Sequence, residues 1–84
     1  MDAGIAALNT LSAWVYSEGD TPMADRSEDG TGLAHARWML DTLLLEVGWW
    51  KIDKLNRWLG YAQGILVQEK VLSLEEVKRC NLRA

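Results

Sequence analysis

The sequence predicts an all-α fold: a small helical bundle of three main helices plus a short C-terminal helix, with a long acidic loop between helices one and two. Three observations predict it. Apolar residues recur at spacings of three and four in three separate segments, the period of a helix buried along one side. No stretch alternates apolar and polar residues between turn signals, and no internal repeat of solenoid length appears. Gly, Pro, Ser and Thr, which interrupt helices, collect with acidic residues in one segment, 18–32.

The first helix is expected from Asp2, placed to cap its first turn, to about Ser17, with Ile5, Leu8, Leu11, Val15 and Tyr16 as its apolar stripe. Residues 18–32 contain almost nothing to bury, and an unstructured connection of that length is expected to be mobile. In the second helix, Leu33, Ala36, Leu40, Leu43, Leu44 and Val47 form one stripe, and Ala34, Trp38 and Leu45 form another on the far side. A helix apolar on two sides is central or lies at an interface. Gly48 stops it before Trp49 and Trp50, and a third stripe follows in Ile52, Leu55, Leu59, Ala62 and Leu66, flanked by Trp58 and Ile65 and ending near Gln68. With so short a connection, helices two and three pack as an antiparallel hairpin. Ser73 with Glu76 makes a capping box, Leu72 can staple onto Val77, and Lys78 and Arg79 suit the negative end of the dipole. A short helix from Leu74 to about Cys80 follows.

Composition narrows the function classes. The chain has 84 residues, 49% hydrophobic and 25% charged, with five Trp. That describes one domain, residues 1–84, too small for a large enzyme or a deep enclosed pocket. No apolar run reaches the roughly 20 residues of a membrane span. The opening Met1-Asp2-Ala3-Gly4-Ile5 lacks the basic and apolar regions of a secretory signal, and Cys80 is alone, so a cytosolic location is expected. The net charge of −3 disfavours nonspecific nucleic-acid binding. It is unevenly placed, because residues 18–30 set five acidic side chains against Arg26 alone, while residues 33–84 carry eight basic and six acidic ones.

Titratable groups for catalysis are scarce. His35, the single histidine, falls on the polar side of the second helix by spacing, has no metal-ligand partner at standard spacing, and is expected at the surface. Cys80 is expected to be packed. Asp25, Ser27, Asp29 and Gly30 match the first half of a calcium loop, but position 12 of that loop is Ala36 where a bidentate carboxylate is needed. No cofactor, metal or catalytic residue is called for.

The most informative group lies on the third helix. Trp50, Lys54, Arg57, Tyr61, Gly64 and Gln68 follow one another at spacings of three and four on the side opposite Leu55 and Leu59, with Gly60 beside them. The aromatics offer flat stacking surface, the cations can meet carboxylate or phosphate, and the glycines let another backbone approach. Two readings stay open: close packing of Gly60 and Gly64 against helix one, or an intermolecular surface.

The stretch Lys54-Leu-Asn-Arg57-Trp58-Leu59-Gly60-Tyr61-Ala62-Gln63-Gly64-Ile65-Leu66, with Val71, Leu74 to Val77 and Asn81, resembles small uncharacterised helical proteins of tailed bacteriophages and prophages. The shared pattern is Arg-Trp-Leu-Gly, an aromatic, an aliphatic, then Gln-Gly, and the match covers residues 33–82. The resemblance names no chemistry and assigns no residue a role. It implies a phage accessory protein in the host bacterial cytoplasm that acts stoichiometrically on host machinery.

The expected function is therefore to bind and inhibit a bacterial host protein, a defence-system component, without catalysis and through exposed parts of helices two and three. The alternative is an oligomer that sequesters a nucleotide immune signal, with Tyr61 or Trp50 stacking on a base and Lys54 and Arg57 meeting phosphate. DNA binding is disfavoured by charge, since Lys51, Lys54 and Arg57 alone would give weak, salt-sensitive contacts. The two-sided second helix also predicts a homodimer or higher symmetric oligomer, with Trp38 and Leu45 in the contact.

Overall fold

A computed structural model describes all 84 residues. It contains four helices and no strand: α1 (Ala3–Glu18), α2 (Leu33–Glu46), α3 (Ile52–Gln68) and α4 (Leu74–Leu82). Local chemistry sets most of the ends. Asp2 Oδ1 accepts from the Ile5 N–H at 3.0 Å to start α1, and Gly19, at φ 82°, donates back to the Val15 carbonyl to end it. The α4 capping box is complete, with Ser73 Oγ accepting from the Glu76 N–H and Glu76 Oε1 accepting from the Ser73 N–H. At the end of α3, Lys70 takes a left-handed conformation (φ 60°), and Val71 N–H reaches back to the Leu66 carbonyl at 2.9 Å. These bonds close α3 so that Val71 and Leu72 turn into the core before α4 begins.

Helices α2 and α3 form the expected antiparallel hairpin, α1 lies across them, and α4 packs chiefly on α1. Leu40, Leu43, Leu55, Leu59, Ala62 and Leu66 are buried as their spacing predicts, and Leu72 and Val77 join the same core. Ile52, expected to open the α3 stripe, is 74% exposed. It lies in the first turn, at the open edge of a shallow depression that it shares with Met1 and Ala3.

The structure reverses the expectation for α1. Its buried face is Ala3, Gly4, Ala6, Ala7, Thr10 and Trp14; of the expected stripe only Leu11 packs partly on the core, while Ile5, Leu8 and Val15 are about half exposed and Tyr16 is almost wholly exposed. Both sides of this helix are uncharged, so periodicity finds two candidate stripes. Packing decides between them. Burying the Trp14 ring, on the order of 200 Å², is worth about 5 kcal/mol in area terms, and the alanines beside it let α1 approach α3 closely.

The acidic loop, expected to be mobile, is bonded within itself and tied to the bundle at several points. Asp29 Oδ1 accepts from the Thr31 hydroxyl (2.8 Å), the Thr31 N–H (3.1 Å) and the Ser27 hydroxyl (3.0 Å). Those donors hold the Asp29 carboxyl below the usual carboxylate range, the Thr31 hydroxyl foremost. The Asp25 N–H reaches the Ala34 carbonyl, Thr21 accepts from Arg37, and Gly30 and Gly32, at φ 73° and 94°, supply the turns.

His35 is a further anchor and a second correction. Expected at the surface, it is 7% exposed, with Nδ1 accepting the Ser27 N–H at 3.1 Å and its ring 5.2 Å from Trp38. The loop covers what would otherwise be its polar, open side. No group of three or more His, Cys, Asp or Glu side chains stands close enough to hold a metal. No helix is long and apolar enough to cross a membrane.

Candidate partner-binding face on the third helix

An aromatic ladder forms where the hairpin brings its tryptophans together. Trp50 meets Trp58 edge-on at 4.6 Å between ring centroids, and Trp58 meets Trp38 at 5.4 Å. Each end carries a cation: Lys54 Nζ lies 4.0 Å from the Trp50 ring, and the Arg26 guanidinium lies 5.4 Å from Trp38. The ladder thus joins the α2–α3 turn, both hairpin helices and the acidic loop. Trp38 and Trp58 stand equally far from Gly48, so the hairpin register alone could have paired them.

This arrangement divides the six residues expected to share one face. Trp50 and Lys54 are half-buried and occupied with each other and with Trp58. Arg57 is exposed and makes only a loose contact, 3.6 Å, with the equally exposed Asp53, of small energetic weight. Tyr61 donates its hydroxyl to the Gly30 carbonyl at 2.7 Å, which pins the loop to α3 and leaves the ring half exposed. Gly64 and Gln68 stand open beside it.

Of the two readings for the glycines, the helix-packing one fails. A Cβ built on Gly60 or Gly64 meets nothing within 4 Å, so neither residue admits α1 or any other element. The two instead form the floor of a trough along the outside of α3. On one side it opens into a depression of about 330 Å³ bounded by Thr31, Gly32, Tyr61 and Ile65. On the other it opens into one of about 480 Å³ bounded by Val67, Leu74 and Val77. Gly64 and Gln68 border both depressions, and neither Lys54 nor Arg57 borders either.

The residues expected at an oligomer contact also separate. Leu45 is 78% exposed, but Trp38 is half-buried, with Arg26 over its ring and Trp58 against its edge. The exposure expected of Trp38 is absent because the loop folds back over it.

Beneath the larger depression, whose lining includes Gln63, lies a polar cluster that spacing did not single out. Gln63 is 4% exposed and its Nε2 donates to Thr10 Oγ1 (3.0 Å) and Asn81 Oδ1 (2.8 Å), while Asn81 Nδ2 donates to Gln63 Oε1 (3.3 Å). Three helices therefore meet on one buried amide. The sequence signal was a Gln on the edge of an apolar stripe, a position where an uncompensated amide would be costly. Compared with known protein families, curated proteins and solved structures, the chain matches none.

Proposed function

We propose that this protein is a stoichiometric binder of a bacterial host protein, an inhibitor of a defence component made in the host cytoplasm as its phage resemblance implies, and that it binds through the trough on α3. It acts by occupying its target, without turnover. The observation that supports this reading is the pair of open glycines. Each mid-helix glycine costs about 1 kcal/mol relative to alanine. Nothing within the chain needs the missing side chains. A helix or strand of a partner lying along Gly60 and Gly64 would need them, with Tyr61 and Leu74 as the walls beside it and the exposed Arg57 one turn before Gly60, outside both depressions. The nucleotide reading is less well supported, because the depression beside Tyr61 is bordered by Glu69 and by neither cation meant for phosphate.

The test separates binding from folding. Gly60→Ala with Gly64→Ala should raise stability by roughly 1–2 kcal/mol, since two costly helix glycines are replaced at open positions. Gly64→Leu should fold normally yet lose a partner that the wild-type chain captures from bacterial lysate at one-to-one stoichiometry. Capture of chaperones alone, or a partner retained by both Gly64→Leu and Arg57→Ala, would refute the reading.

A further inference from the structure

A different surface, on α1, carries an inference that does not depend on the trough. From Ala3 to Ser17, α1 has no charged side chain, and the fold uses only one of its two faces. The unused face is a ridge of Ile5, Leu8, Ser12, Val15 and Tyr16. Met1 and Val47 extend it at the N-terminal end, where they share a shallow depression beside Ala3.

Charges flank this ridge without entering it. Across one groove stands Arg37, paired with Asp41 at 2.9 Å, and across the other stand Glu76, Arg79 and Arg83 of α4 and its C-terminal end. An uncharged centre with a charged rim is the anatomy of a subunit contact. Its composition also distinguishes between kinds of partner. Contacts that form and dissolve are about as polar as the rest of a protein surface, whereas those between like subunits have more apolar cores.

Size agrees. Taking about 200 Å² for a large side chain, the exposed portions of Met1, Ile5, Leu8, Val15, Tyr16 and Val47 amount to roughly 700 Å², close to the ~800 Å² each partner contributes to a stable interface. The ridge is also complementary to itself. In an antiparallel pairing with the two-fold axis near Thr10, Leu8 faces Ser12 of the second copy and Ile5 faces Val15. A large side chain meets a small one on either side of the axis. The groove on each flank can then receive the neighbouring ridge.

We propose that a second copy of this chain packs on the outer face of α1, with the two α1 helices antiparallel about a two-fold axis. The contact is thereby placed on α1 rather than on Trp38 and Leu45 of α2.

Sedimentation equilibrium at micromolar concentration tests it. The wild-type chain should run at twice 9.5 kDa. Leu8→Glu and Ser12→Lys, each at an open position, should each run at 9.5 kDa with helical circular dichroism retained. Leu45→Glu should keep the doubled mass. Mixing the Leu8→Glu and Ser12→Lys chains should restore it, since the new carboxylate then faces the new ammonium across the axis. A wild-type mass of 9.5 kDa, or a doubled mass that survives Leu8→Glu, overturns the proposal. A mixture that stays at 9.5 kDa overturns the antiparallel register. If the chain is monomeric alone and Leu8→Glu abolishes capture of a host protein, the face belongs to that partner and the proposal falls.

Discussion

Replacing Gln63 by Met keeps the side chain's length and removes every polar atom from the centre of the Thr10–Gln63–Asn81 cluster. Two well-formed bonds at 2.8 and 3.0 Å and a longer one at 3.3 Å are lost. At about 1 kcal/mol net for each good bond and less for the long one, the direct loss is roughly 2–2.5 kcal/mol. The orphaned partners add little. The Thr10 hydroxyl still donates to the Ala6 carbonyl at 2.7 Å, and Asn81 is only half-buried and can turn to water. The expected cost is therefore about 2–3 kcal/mol, out of a total that for a chain of this size is on the order of 4–13 kcal/mol. A fall in Tm of roughly 10–20 °C should accompany it, followed by circular dichroism. Asn81→Ala should couple to Gln63→Met by about 1 kcal/mol in a double-mutant cycle, because removing either partner spoils the same bonds. A loss below about 0.5 kcal/mol, or strictly additive changes, would mean that the three helices are not joined through this amide.

His35→Phe preserves the ring against Trp38 but deletes the acceptor for the Ser27 N–H. Trypsin should then cut faster at Arg26, the one basic residue in the loop, while the core melts within about 1–2 kcal/mol of wild type; an unchanged cleavage rate would show that His35 does not hold the loop. The Glu76 carboxyl is held below its ordinary range, first by the Ser73 N–H, and the Asp29 carboxyl by the Thr31 hydroxyl. Both contribute stability that is present above the ordinary carboxylate range and lost as pH falls through the lowered folded values, where the unfolded chain already binds the proton. Thermal melts should accordingly show Tm falling on acidification, with a shallower fall for Glu76→Gln, which keeps an acceptor for the cap; equal slopes would count against the capping box as a source of acid sensitivity.

Spacing was most informative where only one side of a helix is apolar. Leu55, Leu59, Ala62 and Leu66 alternate with Asp53, Lys54, Asn56 and Arg57, and that helix buries the residues its pattern names, Ile52 at its open end excepted. The pattern failed at α1 because both sides are apolar, and the choice went to the side carrying Trp14 and the small residues. His35 was misplaced for a related reason. Its surroundings are set by Ser27, eight residues away in sequence, and no helical period reports that. Gly60 and Gly64 were recognisable as residues needing an explanation. Spacing could not distinguish a close helix from open space, and the structure shows open space.

The two surfaces left uncovered have a consequence for stoichiometry. The depressions around the α1 ridge and those around the α3 trough have no lining residue in common, so neither surface covers the other. A pair joined through α1 would then leave both troughs uncovered, each free to take a host protein. Binding should be two-to-two, and a target that is itself dimeric or surface-immobilised would be held by both troughs, gaining avidity without any new contact. Leu8→Glu lies outside the lining of the trough and should leave the affinity for a single target unchanged while reducing the complex to one-to-one and shortening its lifetime on an immobilised target. Light scattering of the complex with the captured partner reads the first effect, and surface dissociation rates read the second. A one-to-one complex formed by the undisturbed pair would show that the target covers both faces at once, and the separation of ridge and trough would then be the wrong account of how this chain engages its partner.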